Sequence, residues 1–443
     1  MDFAPLAAFV VPGRLANREV LKRIKETGDI FFAASDREWI LAGATVHVSM
    51  VGFDNGAETS RTLDGKPVEK INANLTSATD TVTAAILQSN QSQSFLGSCK
   101  GGPFDITEDE AVGLLGQSGN PNGLPNSDLI RPVCNSEDLI KSPSRRWIID
   151  TADLDQENAS KYEKPFDIVV DRVKPKRDVN RDKWLRVNWW SPQRMRPEMR
   201  NAIKPLHRFL ITTTTSKHRL FIWLTHPILP DHQLIVFAHS EDAFFGILHS
   251  RIHEVWALAV GTQLREKESG FRYTPTTCFE SFPLPLPTPA QEAVIADAAK
   301  ELNELRERWL NPPEWTETRT LDFVGSVAGP WARYVDPKTV DANTGIGTVR
   351  YPRLEPRDAD CAAKLKKRTL TNLYNERPAW LDLAHKKMDA AVAAAYGWPA
   401  DLTDEQILEK LLALNLARAA EEVKPDQVKK PKSTRAKTAD EML

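Results

Sequence analysis

The 443-residue sequence predicts an α/β plus α+β fold, in which the closing strands of a Rossmann-like sheet precede a mixed domain and a helical carboxy-terminal region. Three observations predict this order. One helix and three strand-like segments fill residues 1–57, short mixed segments separated by turn residues fill 58–287, and amphipathic helices dominate 288–422. The lysine-rich remainder, 423–443, lacks apolar periodicity and is predicted to be a disordered tail.

The first segment has the pattern of a strand, a helix and two further strands. ANREVLKRIKETG places Val20, Leu21 and Ile24 on one helical face, and Gly28 follows in the position of a C-cap glycine. LAAFVVPG before it is typical of a buried strand, and DIFFAASDREWIL and GATVHVSMVGFDN after it are typical of strands as well. Three strands and one helix cannot cover both faces of a parallel sheet, so this segment is predicted to be the end of a larger sheet.

The middle segment is punctuated by turn sequences such as SGNPNGLPNSD. One long helix is predicted over residues 241–261, because apolar residues recur at helical spacing from Phe244 to Leu258 and Gly261 follows as a stop. The proline run SFPLPLPTP marks the boundary at about residue 287. Beyond it, AQEAVIADAAKELNELRERWL and the blocks LTNLYNERPAWLDLAHKKMDAAVAAAYGW and DEQILEKLLALNLARAAEE predict the helical region.

Composition argues against several classes of protein. No apolar run is long enough to span a bilayer and the opening lacks the basic leader of a signal peptide, so a cytoplasmic protein is predicted. The four cysteines form no C-x-x-C pair, which argues against a disulfide framework and a structural zinc site. The net charge is -2, so any interaction with nucleic acid must depend on local clusters.

The stretch NPPEW, residues 311–315, partly matches the [N/D/S]-P-P-[aromatic] motif. This motif forms the catalytic loop of enzymes that methylate the exocyclic amine of a flipped base. The fourth residue of such a loop stacks on the base, yet Glu314 cannot stack and Trp315 comes one position late. The stretch also follows a charged helix instead of an apolar strand. We therefore predict that NPPEW terminates a helix.

The residues predict no complete cofactor site and no metal site. FVGSVAG and ANTGIGTVRYP are glycine-rich, but neither follows a convincing buried strand or precedes a helix, as a methyl-donor turn does. His249 and His253 lie four residues apart without the H-E-x-x-H pattern, which favours structural or surface histidines over metal ligands. No catalytic residue is assigned.

The most informative local feature is the basic stretch from Arg172 to Arg219. It contains fourteen lysines and arginines against three carboxylates, interleaved with three tryptophans and the run TTTTSKHR. Basic, aromatic and hydroxyl side chains together are what phosphate positioning and base contact require. A solvated basic face with its tryptophans in the core would have the same composition, so both interpretations stay open.

Several longer stretches resemble one family. They are FFAASDREWILAGATVHVSMVGFD, NPNGLPNSDLIRP, LPDHQLIVFAHSEDAFFGILHSRIHEVWAL, RYTPTTCFESFPLP and LTNLYNERPAWLDLAHKKMDAAVAAAYGWP. Together they are similar to the carboxy-terminal half of MmeI-like Type IIG/IIL DNA methyltransferases, over about residues 16–417. The resemblance implies the last strands of a methyltransferase sheet at 1–57, a DNA target-recognition domain at 58–287 and a helical end at 288–422. It also implies site-specific adenine-N6 methylation of double-stranded DNA, with S-adenosylmethionine as the methyl donor.

By the same resemblance, Phe31–Asp36 and Val46–Asp54 match the family's closing strands. Asp231–Gln233, Phe244–Trp256 and Tyr273–Phe282 match blocks that are expected to frame the groove for DNA. We expect DNA contacts from eight basic residues: Lys176, Arg177, Arg194, Arg196, Arg200, Lys217, His218 and Arg219.

The resemblance further implies that the donor motif and the true N-P-P-[F/Y] loop belong to a catalytic half upstream of Met1. The chain by itself is therefore expected to be catalytically incomplete, and a separately encoded partner would supply that half. Two alternatives stay open. Beside this first hypothesis, they are a stand-alone DNA-binding module and a non-functional truncated remnant, both without catalysis.

Overall fold

The computed structural model describes residues 6–10, 15–41, 44–73, 75–77, 79–141, 145–152, 154–263 and 271–422, so the predicted tail lies outside the described residues. The first unit is a five-stranded sheet with the strand order β1-β3-β2-β4-β5. Its elements are β1 (Leu6–Val10), α1 (Leu15–Thr27), β2 (Asp29–Leu41), β3 (Ala44–Asp54), β4 (Arg61–Leu63) and β5 (Lys66–Val68). The predicted helix and three predicted strands of this segment are thereby confirmed.

Strand β3 lies between β1 and β2 and runs antiparallel to both of them. β1 and β2 are therefore parallel to each other, and α1 is the crossover that connects them. Leu21 of α1 packs in one core with Ile30 and Val51 of the sheet. Gly28 ends α1 as predicted, and a close approach requires it, because a Cβ there would lie 1.9 Å from the carbonyl oxygen of Asp54.

The middle segment contains three small sheets, with the orders β12-β10-β14-β6, β13-β8-β9-β7 and β11-β16-β15. Its strands are β6 (Ser94–Leu96), β7 (Asp105–Ile106), β8 (Ile130–Cys134), β9 (Trp147–Ile149), β10 (Arg208–Thr213), β11 (Thr215–Ser216), β12 (Phe221–Thr225), β13 (Leu229–Pro230), β14 (Leu234–Phe237), β15 (Thr262–Gln263) and β16 (Phe271–Arg272). Its helices are α2 (Glu108–Leu115), α3 (Ser136–Ile140), α4 (Gln156–Ser160), α5 (Glu163–Arg172), α6 (Lys174–Asp178), α7 (Lys183–Val187), α8 (Pro197–Ile203), α9 (Asp242–His249) and α10 (Arg251–Val260). The predicted texture of short mixed elements is confirmed.

The prediction of a single helix over residues 241–261 is wrong. Ser250 interrupts the helical backbone and separates α9 from α10. Ser250 has an extended backbone, its hydroxyl donates to the carbonyl of Ile247 (2.7 Å), and it accepts from the N–H of His253 (3.4 Å). Serine is a favoured N-cap for this reason. Both helices pack into the same core, so apolar residues recur at helical spacing on both sides of Ser250. The sequence pattern therefore does not indicate the interruption.

The carboxy-terminal region is not wholly helical, which corrects the prediction. Its helices are α11 (Pro289–Leu310), α12 (Ala359–Leu365), α13 (Leu370–Glu376), α14 (Ala379–Tyr396) and α15 (Asp404–Glu422). Between α11 and α12 lie two paired antiparallel strands, β17 (Thr316–Ser326) and β18 (Ile346–Pro356). A long connection joins these strands, so the sequence has no tight-turn pattern that would predict a hairpin. No helix in the described ranges is long and apolar enough to cross a membrane.

The carboxy-terminal elements share cores with the middle segment. Residues of α9 and α10 pack with residues of α11, α14 and α15 in one cluster. In a second cluster the ring of Trp331, from the β17–β18 connection, stacks on Trp147 of β9 with 5.8 Å between centroids. Its indole N–H also donates to the carbonyl of Ile130 (2.9 Å). Segments on both sides of residue 287 therefore fold together, and the predicted domain boundaries stay predictions.

NPPEW forms the connection between α11 and β17. α11 ends at Leu310, and the N–H of Trp315 donates to the carbonyl of Pro312 (2.9 Å) in a tight turn. The ring of Trp315 lies against the guanidinium of Arg368, which is 5.0 Å from its centroid. The prediction that NPPEW terminates a helix is confirmed, and its aromatic residue has a packing role.

Candidate nucleic-acid interface

Residues 191–196, near the middle of the basic stretch, form a loop that pairs with the loop of residues 97–102; we call these two loops the loop pair. The N–H of Cys99 donates to the carbonyl of Arg194 (3.0 Å), and the N–H of Arg194 donates back to Cys99 (2.9 Å). The N–H of Gln193 donates to the carbonyl of Lys100 (3.1 Å). These backbone bonds fix both loops and leave the side chain of Arg194 exposed.

Arg200, a predicted DNA contact, is engaged inside the protein. Its guanidinium donates two hydrogen bonds to Asp150, at 2.8 and 3.0 Å, and the side chain of Asp150 is only 4% exposed. Arg131 donates a third bond to the same carboxylate (3.2 Å). Burial opposes ionisation of Asp150, but the two guanidinium groups outweigh it and hold the pKa of Asp150 below its ordinary value. Arg200 also donates to the carbonyl of Met195 (2.7 Å), so it ties α8 to the loop pair.

Arg177 is also buried. One of its terminal nitrogens donates to the carbonyls of Lys100 (2.9 Å) and Ser191 (3.3 Å), which joins α6 to both members of the loop pair. Its guanidinium lies over the ring of Phe104, 5.7 Å from the centroid. Burial lowers the pKa of Arg177. The side chain therefore supports the surface from below.

Three further predicted residues lie at the β10–β12 end of the segment. Arg219 donates to the carbonyls of Thr213 and Phe271 (the latter at 3.0 Å), and burial lowers its pKa. Lys217 donates to the side-chain oxygen of Asn375 in α13 (2.8 Å), and a ring nitrogen of His218 lies 2.9 Å from the same oxygen. This corner is thus tied to the carboxy-terminal helices.

The remaining predicted contacts face outward to different degrees. The side chains of Lys176 and Arg194 are exposed, and that of Arg196 is half-buried. Arg196 has a left-handed backbone, with φ at 58°, immediately before α8. The structure therefore divides the eight predicted residues into a supporting set and an exposed set, a division that depends on tertiary contacts.

The tryptophans of the basic stretch are divided in the same way. Trp189 is buried with its ring 5.5 Å from that of Phe166, and Trp190 is half-buried with its N–H donating to the carbonyl of Leu154 (3.1 Å). Trp184 is exposed on α7. Trp189 and Trp190 therefore pack inside the protein, as expected if the tryptophans of the basic stretch belong to the core, whereas Trp184 lies on the surface.

A groove of about 490 Å³ was missed by sequence reasoning. Arg172 at its edge pairs with Glu110, and Arg353 of β18 pairs with Glu108. The residues that line it are Asp105, Ile106, Thr107, Glu108, Glu110, Arg145, Arg146 and Arg172. Three carboxylates and three arginines line the groove, so its charges balance and no net charge distinguishes it.

The block at residues 231–233 joins neighbouring elements. The buried carboxylate of Asp231 accepts from the N–H of Gln233 (3.1 Å) and lies 2.7 Å from a ring nitrogen of His232. The backbone of Asp231 forms a bridge with that of Ser98 in the loop pair. The side-chain oxygen of Gln233 accepts from Ser136 (2.6 Å), so the block links α3 with the loop pair.

His249 and His253 both have partners in the core. His249 accepts from the N–H of Phe221 (3.2 Å), and its other ring nitrogen lies 2.8 Å from the hydroxyl of Tyr374. The ring nitrogens of His253 contact the carbonyl of Leu248 (2.7 Å) and a tyrosine hydroxyl. Burial keeps the pKa of both imidazoles far below the ordinary value, for His253 at about 3. No group of three or more potential metal ligands occurs among the described residues.

The middle segment is similar to a known class of domain. Residues 100–286, which contain the loop pair from Lys100 onward, match the family model described as the MmeI target recognition domain. The resemblance to MmeI-like enzymes that the sequence indicated is thereby confirmed.

The structure is similar to that of one particular enzyme, the Type IIL restriction-modification enzyme MmeI solved in complex with DNA. The TM-score is 0.66 at 16% sequence identity, so the likeness concerns the fold. It covers 94% of this chain and 50% of the MmeI chain, and this chain therefore spans about half the length of that relative. A search of the curated proteins found no match.

Proposed function

We propose that this chain provides DNA target recognition for a site-specific, S-adenosylmethionine-dependent adenine-N6 DNA methyltransferase. The observation that carries the proposal is the match of residues 100–286 to the MmeI target recognition domain. MmeI was solved in complex with DNA, and the matched residues here carry the exposed Lys176 and Arg194. Positively charged side chains on fixed loops are suited to bind phosphates. We propose the cytoplasm as the compartment in which the chain acts.

We also propose that strands β1, β2 and β3 of the first sheet are the closing strands of a methyltransferase sheet, within the proposed boundaries 1–57, and that 58–287 and 288–422 are the recognition and carboxy-terminal parts. An antiparallel β3 between the parallel strands β1 and β2 supports this assignment. Among the described residues, β1 pairs with β3 alone, so its second edge can receive a further strand.

The methyl donor requires a turn in which backbone amides approach it closely, and the glycine-rich stretches described here do not fit that role. A Cβ on Gly325 would lie 2.4 Å from a side-chain carbon of Val349, and one on Gly329 would lie 2.4 Å from a carboxylate oxygen of Asp128. These glycines permit the β17–β18 hairpin to pack. We therefore assign no donor-binding residue in the described ranges and propose that a catalytic half outside them holds S-adenosylmethionine.

Recognition is tested by selection from a pool of duplexes with a randomised central region, using the purified chain and sequencing the bound fraction. We expect enrichment of one short asymmetric motif. Arg194→Ala should weaken binding to every sequence without changing the motif, because a phosphate contact carries no sequence information. Binding without any enriched motif would contradict target recognition.

Catalysis is tested separately with labelled S-adenosylmethionine and a duplex carrying the selected motif. The chain alone should transfer no methyl group above background, and a fusion behind the catalytic half of MmeI should produce N6-methyladenine within the motif. Transfer by the chain alone would overturn the placement of the donor site. A selected motif combined with an inactive fusion would favour the alternative of a stand-alone DNA-binding module.

A further inference from the structure

Helices α6 and α7 form a surface element, residues 174–187, that presents apolar side chains to solvent; we call it the α6–α7 tip. Val179 is 82% exposed, Val187 60% and Trp184 42%. Trp184 and Val187 lie three residues apart in α7 and therefore share one face of that helix, whereas Leu185 between them is buried. Adjacent exposed apolar side chains of this size indicate a surface with a binding partner.

The tip has an uncompensated positive charge. Lys176, Arg181 and Lys183 are exposed and make no ion pair with any residue in the described part of the chain. The carboxylates nearby are used locally. Asp178 pairs with Lys174 (2.9 Å), and Asp182 caps α7 by accepting from the N–H of Trp184 (2.8 Å).

The tip is held in a fixed shape. Arg186 donates to the carbonyls of Asn180 (2.6 Å) and Arg181 (3.1 Å), which closes the turn between α6 and α7. Arg177 joins α6 to the loop pair through the carbonyls of Lys100 and Ser191. The tip is therefore anchored to the loop pair, which carries the exposed Arg194.

We propose that the α6–α7 tip is a sequence-independent docking surface for the backbone of duplex DNA. Lys176, Arg181 and Lys183 bind phosphates, and Trp184 and Val187 pack against deoxyribose at the edge of a groove. The partner is inferred from charge, because unpaired cations around an apolar centre complement a phosphate backbone with apolar sugars between its charges. This inference rests on the proposed function and specifies which surface positions the duplex.

The test measures binding of the full chain to a labelled duplex of mixed sequence by fluorescence anisotropy, at salt concentrations from about 50 to 200 mM. Lys183→Ala should make the slope of log K against log salt shallower by about 0.9, the value for one phosphate contact. Trp184→Ala should weaken binding about tenfold at an unchanged slope, because apolar contact is lost and no charge is removed. Trp184→Phe should retain most of the affinity.

Lys300→Ala on α11 and Leu383→Ala on α14 are matched controls, since both residues are exposed and lie outside the matched recognition domain. Both controls should bind like the wild type, and thermal unfolding should show that all variants are folded. If the wild type binds duplex and neither Lys183→Ala nor Trp184→Ala changes affinity or slope, the proposal is wrong and the tip is a surface for a protein partner. If the wild type itself binds no duplex, the proposed function fails and this inference fails with it.

Discussion

The division of the predicted DNA contacts into supporting and exposed residues predicts opposite outcomes for two arginines. Arg200→Ala removes two hydrogen bonds from the buried carboxylate of Asp150 and leaves the bond from Arg131 and the backbone hydrogen bond of Ala152. Hydrogen bonds to charged groups each contribute about 1.5–3 kcal/mol. Because Arg131 still neutralises Asp150, the expected loss of unfolding free energy is about 3 kcal/mol, at the lower end of the cost of breaking a buried pair.

Arg194→Ala is the matched control, since this arginine is exposed and forms only backbone bonds with the opposite loop. Its unfolding free energy should change by less than about 0.5 kcal/mol. Its duplex affinity should fall, with a salt slope shallower by about 0.9.

Urea unfolding followed by tryptophan fluorescence measures the first quantity, and anisotropy titrations at several salt concentrations measure the second. Arg200→Ala should keep the wild-type salt slope at temperatures where it is folded. If Arg200→Ala is as stable as the wild type and its salt slope becomes shallower, then Arg200 contacts phosphate directly and the supporting role inferred from Asp150 is incorrect.

Three further predictions concern stability. Burial lowers the pKa of His385 from 6.5 to about 3. Between these pH values the imidazole is protonated in the unfolded chain and neutral in the folded chain, so stability is lost as the pH falls below 6.5. On going from pH 7 to pH 5, the unfolding free energy of His385→Gln should rise by about 2 kcal/mol relative to that of the wild type, at 1.36 kcal/mol per pKa unit. If the difference in unfolding free energy between the two proteins is the same at both pH values, this histidine titrates normally. Trp331→Ala should cost about 3–5 kcal/mol and expose the β17–β18 hairpin to protease, because a fully buried indole leaves a cavity beside Trp147; a resistant hairpin would contradict that packing. Gly28→Ala should destabilise by about 1–3 kcal/mol through overlap with the adjacent backbone, while Gly113→Ala, in open space on α2, should stabilise by about 0.5–1 kcal/mol in thermal unfolding; equal effects would refute the steric argument.

Local sequence patterns predicted many elements well. The helix and strands of the first segment, the long helix α11 and the helix-terminating role of NPPEW all follow from periodicity, caps and proline. The hairpin of β17 and β18 was missed, since its strands pair with each other across a long connection and lie between helices. The break at Ser250 was missed because α9 and α10 bury the same kind of face in one core.

The sequence by itself determined the resemblance to MmeI-like enzymes, because long motifs carry enough information to indicate a family, and it located the basic stretch. Only the tertiary structure decided which of those basic residues face outward. Arg177, Arg200 and Arg219 find carbonyl or carboxylate partners on segments distant in the chain, whereas Lys176 and Arg194 find none for their charges in the described residues. An arginine in the sequence looks the same in either place. Its availability to a phosphate depends on partners that the fold brings to it, and sequence position does not encode them.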